Sequence, residues 1–117
     1  MLEYEETQDG EITVVSLCGV LDMHRADEFK EQIRRWVKAG RLKLLLDLSA
    51  LDYICSAGIA ALITWTQRIR ERGGRMCVCC PRGQVKETFR ILRLNGPSPV
   101  VRIFPSREDA LKELKAP

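Results

Sequence analysis

At 117 residues, with 45% hydrophobic and 30% charged residues, the chain has the make-up of one soluble globular domain, able to bury roughly two-thirds of its unfolded surface. No apolar run approaches the ~20 residues of a membrane span, and the acidic start Met1 to Glu6 is unlike a secretion signal, so direct membrane insertion is not expected. A net charge of +3 is too small to argue for nucleic acid, and five cysteines, an odd number, point away from a disulfide framework and toward a reducing cytoplasm.

Two short runs, Leu2 to Gln8 and Ile12 to Cys18, flank Asp9-Gly10, a pair that tolerates positive φ and so predicts a β-hairpin. From Ala26 the apolar residues change to helical spacing: Ala26, Phe29, Ile33, Trp36 and Val37. Asp27 and Glu28 are expected in the first turn and Gly40 at the stop. Leu42 to Leu48 is apolar on both faces, which suits a strand covered on either side. A polar loop is expected from Leu48 to Ser56. Ser56 then opens a helix that buries Ile59, Leu62, Ile63 and Ile69 and ends at Gly73-Gly74. Met76 to Cys80 reads as a strand stopped by Pro81, and Gln84 to Leu94 as a helix with Val85, Phe89 and Leu92 inward. Val100 to Phe104 reads as a short last strand, and Ser106 caps a last helix with Asp109 three residues on.

The order ββαβαβαβα implies an α/β fold: one mixed sheet of four to five strands, with about four helices mainly on one face and the hairpin toward an edge. Loops at the carboxyl ends of parallel strands are where such folds place their sites, which singles out the segment that ends at Ser56.

Little catalytic chemistry is on offer, and no cofactor is expected. The single histidine, His24, has no companion for a metal site or proton relay. Gly73-Gly74 follows a helix rather than opening one, so it is no phosphate loop. On a regular strand Cys77 and Cys79 share one face while Cys80 points away, and no second pair completes four ligands; buried structural thiols are the reading, with no metal. Ser56 has no evident base to make it a nucleophile. Arg82, Lys86, Arg90 and Arg93 form a basic stripe without aromatic stacking partners, which argues for a solvated face rather than a nucleic-acid surface. Ser56 itself has two readings. Either its hydroxyl simply caps the helix, or it carries a phosphate that the helix N-terminus receives.

Three motifs decide what to expect of it. Asp47-Leu48-Ser49 followed by Tyr53-Ile54-Cys55-Ser56-Ala57-Gly58-Ile59 resembles the signature of the STAS domain family, in particular of bacterial anti-sigma factor antagonists. Gly19-Val20-Leu21-Asp22 is similar to the family's second motif, and Phe104 to Leu111 to its usual ending. The resemblance implies a non-enzymatic switch. An anti-sigma factor that is also a serine kinase binds the unmodified protein, phosphorylation of Ser56 releases it, and a phosphatase restores binding. Asp22 aligns with a family aspartate beside the acceptor serine. The chain departs from the family at Cys55, where aspartate is commonest, and at Ala57, where serine or threonine is frequent. The alternative reading is a STAS scaffold or a subunit of a larger assembly, such as a stressosome-like complex or a lipid-transporter partner, without phosphoregulation.

Helical spacing sketches the partner surface. With the apolar stripe inward, Ala57, Ala61, Thr64, Trp65 and Arg68 are expected on the outer face of the helix: a small, flat first turn and, two turns further along, Trp65, which is either an exposed aromatic anchor or packed against the edge of a neighbouring helix. Asp22, Cys55, Ala57, Gly58, Ala61 and Trp65 are therefore the candidate contact residues around Ser56, with Asp47 and Ser49 as motif support.

Overall fold

The computed structural model describes residues 1–94 and 100–117. Strand β1 (Leu2–Asp9) and strand β2 (Ile12–Leu21) pair as an antiparallel hairpin, with Gly10 at φ +61° in the turn. Helix α1 (Met23–Lys38) leads to β3 (Lys43–Ile54), α2 (Ser56–Glu71) to β4 (Arg75–Cys79), and α3 (Gly83–Leu92) to β5 (Arg102–Phe104), followed by α4 (Arg107–Lys115).

The strands lie in sequence order, β1-β2-β3-β4-β5, and β2 to β5 are parallel. That order fixes the layers. Each right-handed crossover steps the same way along the sheet, so α1, α2 and α3 all land on one face. Against them pack Val15, Leu17, Leu44, Leu46, Met76 and Val78, which meet Phe29, Ile33, Leu62 and Phe89. Because α4 is not a crossover, it can cover the other face, where Ala110 and Leu114 meet Ile12, Val14, Leu45, Cys77 and Cys79. The fully apolar Leu44-Leu45-Leu46 is thereby explained: alternate side chains of a central strand bury in two different cores.

Several boundaries differ from expectation. Strand β3 runs on to Ile54, so the segment after Leu48 is strand rather than loop. It finds a partner because β2 also continues, to Leu21, through register irregularities between Ser16 and Cys18 and between Gly19 and Val20. Gly19 is required there: it sits at φ +107°, and a Cβ would come within 2.0 Å of the Met1 carbonyl oxygen. Helix α1 starts at Met23, so Asp27 and Glu28 fall beyond a first turn that holds no acidic residue. In α3, Leu92 is 51% exposed and Leu94 is buried in its place. Arg93 adopts the left-handed conformation and turns the chain back, with the Leu94 N–H donating to the Phe89 carbonyl. The last strand begins at Arg102 rather than Val100.

Candidate functional site

Strands β2 and β3 end side by side, with Leu21 opposite Ile54, and the Cys55 N–H donates to the Leu21 carbonyl at 2.9 Å. Each strand then turns at once into a helix, so Asp22 and Ser56 emerge as neighbours at one edge of the fold. Asp22 is the N-cap of α1: its carboxylate accepts the Arg25 N–H at 3.1 Å and pairs with the Arg25 guanidinium at 2.8 Å. Desolvation would push this carboxyl up, but the hydrogen bonds and charge of Arg25 outweigh it and hold the group below the usual carboxylate value.

Ser56 is not a cap. The N-cap of α2 is Cys55, in extended conformation, whose Sγ accepts the Gly58 N–H at 3.4 Å. Sulfur is a weak acceptor, so this cap is a poor one. Ser56 is the first helical residue and is exposed, beside first-turn N–H groups for which the helix supplies no acceptor. Gly58 explains how the turn fits: a Cβ there would lie 2.9 Å from Leu21 and 3.0 Å from Ile54, so the helix start rests directly on both strand ends. Ala57 is half-buried beside it.

Two long-range contacts, neither legible in the sequence, hold this edge. Strand β4 stops where Cys79 meets Asp47, which leaves the last part of β3 without a strand on that side. Gln84 of α3 takes over: its amide accepts the Ile54 N–H at 3.0 Å and donates to the Ile54 carbonyl at 3.1 Å, as a neighbouring strand would. Further back, buried Asp47 accepts the Ser49 N–H at 2.9 Å and two bonds from Arg107 of α4, at 2.7 and 3.1 Å. Burial alone would raise the Asp47 carboxyl, yet the Ser49 N–H and the Arg107 guanidinium together hold it below the ordinary carboxylate value. Asp47 thus ties β3 to α4, and the Ser49 backbone N–H helps hold it.

The outer face of α2 needs correcting. Ala61 is buried, not exposed, because α1 packs on that flank. Trp65 is half-buried against the main core, in the groove between α1 and α2, with the Arg68 guanidinium over its ring at 5.1 Å. Nine residues place it half a turn around the helix from Ser56, so the two do not share a face. Large apolar side chains left exposed near the two strand–helix junctions are Met23, 78% exposed next to Asp22 in sequence, and Tyr53, three residues before Ser56. The signal for them was available: both sit at strand–helix junctions just outside the apolar stripes.

Cys80 also departs from strand alternation. Its φ of +60° turns it back onto the cluster that holds Cys77 and Cys79. Burial pushes the Cys77 thiol up to about 11 and the Cys79 thiol higher still, so neither is an activated nucleophile. The basic stripe of α3 is partly neutralised, Arg82 by Asp52 at 3.3 Å and Arg90 by Glu87. Among the described residues no helix is long and apolar enough to cross a membrane.

A sequence model of the STAS domain matches residues 3–110. The chain belongs to the STAS domain family. It is 30% identical over 105 residues to a protein of Bordetella bronchiseptica named as the anti-sigma factor antagonist BtrV, covering 87% of this chain and 85% of that one. Its fold is that of a Thermotoga maritima protein assigned as an anti-sigma factor antagonist, with a TM-score of 0.86 at 18% identity, over 97% of this chain and 95% of that one. The Bacillus cell fate determinant SpoIIAA in its phosphorylated form has a TM-score of 0.70 at 17% identity, over 98% of this chain and 100% of that one.

Proposed function

We propose that this STAS protein is a cytoplasmic, non-enzymatic anti-sigma factor antagonist. It binds an anti-sigma factor with serine kinase activity and is released when Ser56 is phosphorylated; a phosphatase resets it. The observation that supports the reading is the position of Ser56: exposed at the first position of α2, its hydroxyl free of the capping role, where strands β2 and β3 end side by side. A phosphate on Ser56 adds about −1.5 to −2 charges where a helix N-terminus presents free N–H groups and a positive dipole end. The fold therefore tolerates it, and the cost falls on the partner through desolvation and repulsion. Cys55, where the family commonly has aspartate, keeps the capping geometry and removes one charge from the kinase's view of the site.

The test is capture from a lysate of the native host by immobilised wild type, Ser56→Ala and Ser56→Asp, with mass-spectrometric identification. Wild type and the alanine variant should retain an anti-sigma-type kinase, and the aspartate variant at least tenfold less. Equal capture of such a kinase by all three would sink the switch. Retention instead of a scaffold or a transporter ATPase, regardless of the substitution, would place the chain in a larger assembly.

A further inference from the structure

Away from Ser56, on the α4 face of the sheet, the carboxylate of Asp47 and the thiols of Cys79 and Cys80 converge, with their ligand atoms all within 4.8 Å of one another. Adjacent residues of a regular strand cannot do this, because their side chains point to opposite faces. The left-handed φ of Cys80 makes it possible, a conformation uncommon for a residue with a side chain. We infer that Asp47, Cys79 and Cys80 form a site for one zinc-class divalent cation. This inference stands apart from the role of Ser56.

The donor set suits such an ion. Two thiolates and a carboxylate are borderline-soft ligands, and three protein ligands plus a water make the open tetrahedral arrangement that zinc accepts. At bonds of about 2.0–2.3 Å the donors of a tetrahedral centre lie roughly 3.3–3.8 Å apart, so a contraction of about 1 Å is needed. Cys80, only half-buried, has the freedom to supply it. Asp47 already accepts from the Ser49 N–H and twice from the Arg107 guanidinium, so a metal would share the carboxylate with partners that fix its orientation. Charge closes as well. On binding, each thiol loses its proton as its sulfur–metal bond forms; two protons leave for solvent and no electron is transferred. Two thiolates, Asp47 and the cation then sum to one negative charge, which Arg107 neutralises. In the structure Arg107 already forms its ion pair with Asp47, at 2.7 Å.

Titration of the reduced protein with Cd²⁺, followed by thiolate-to-cadmium ultraviolet absorption, and Zn²⁺ retention in native mass spectra test this. Wild type and a Cys18→Ser/Cys55→Ser variant should bind one equivalent, and Zn²⁺ should raise their unfolding temperature. Cys80→Ser should bind at least tenfold more weakly and show no such rise. Alkylating half-buried Cys80 in the folded Cys18→Ser/Cys55→Ser protein gives the same comparison should the substitution not fold. Absence of binding by wild type, or undiminished binding after Cys80 is removed or blocked, would overturn the site.

Discussion

Removing the Gln84 amide tests whether α3 secures the functional edge. Its two bonds to Ile54 are made to a residue that is itself buried, at the end of a strand segment with no neighbour on that side. In Gln84→Ala the Ile54 N–H and carbonyl lose both partners, and each neutral hydrogen bond is worth about 0.5–1.5 kcal/mol net. The better helix propensity of alanine returns a few tenths of a kcal/mol. The expected loss is about 0.7–2.7 kcal/mol. With 117 residues at about 2.1 cal/mol/K each, the unfolding entropy is about 0.25 kcal/mol/K, so the melting temperature should fall by roughly 3–11 °C. Gln84→Glu offers a sharper comparison, since a carboxylate can still accept from the Ile54 N–H but faces the Ile54 carbonyl without a proton to donate; it should recover little of the loss. Urea denaturation gives the stability change, and amide exchange gives the protection of Ile54, which should fall in both variants. A Gln84→Ala protein within 0.5 kcal/mol of wild type, with Ile54 exchange unchanged, would show that water or a shifted strand replaces the amide (compare the lower limit per bond).

Asp47→Asn should cost about 2–4 kcal/mol, below the full penalty for splitting a buried pair because Arg107 is 44% exposed on its side chain and can turn to water. The folded-state carboxyl is depressed, so its stabilisation is complete above the unfolded value of about 3.9 and is lost as pH falls through the lower folded value. Urea melts of the two proteins should therefore differ most near neutrality and converge in acid; a gap that does not shrink in acid would refute the assignment. Cys55→Asp replaces a weak sulfur cap by a strong one at the positive end of α2, and should stabilise the protein by about 0.5–1 kcal/mol at neutral pH. Thermal melts in low salt check this, and destabilisation would mean that packing at the buried Cys55 outweighs capping.

Much of the fold was legible because local patterns agreed with the tertiary answer. Asp9-Gly10 specified the hairpin, helical spacing specified the core face of α1 and, through Ile59, Leu62 and Ile69, most of that of α2, and a run apolar on every residue specified the central strand. The misreadings share a cause: neighbours distant in sequence decided them. Ser49, Asp52 and Tyr53 are exposed in the second half of β3 without strict alternation, and the segment is strand because a bulged β2 follows alongside. Ala61 looked like surface until α1 covered it. Leu92 fitted the stripe of α3, but left-handed Arg93 delivered Leu94 to the core instead. Gln84 acts on Ile54 and Arg107 on Asp47 across separations of 30 and 60 residues, which no local pattern in a single chain reveals. Ser56 was found by its motif, whereas its freedom from capping depends on Cys55, a residue outside the usual capping set.

That division of labour between Cys55 and Ser56 bears on how a switch at this edge could work. Were Ser56 the cap, modifying its hydroxyl would remove a hydrogen bond from α2 and destabilise the fold as well as any complex. With Cys55 holding the Gly58 N–H, and with Gly58 pressed on Leu21 and Ile54, the first turn is anchored without the serine. Under the proposed switch, a charge introduced at Ser56 acts on the partner, and the domain underneath keeps its hydrogen bonds. The same geometry separates two kinds of variant. Substitutions at Ser56 should change binding with little effect on stability, and those at Cys55 or Gly58 should move stability first and binding only as a consequence.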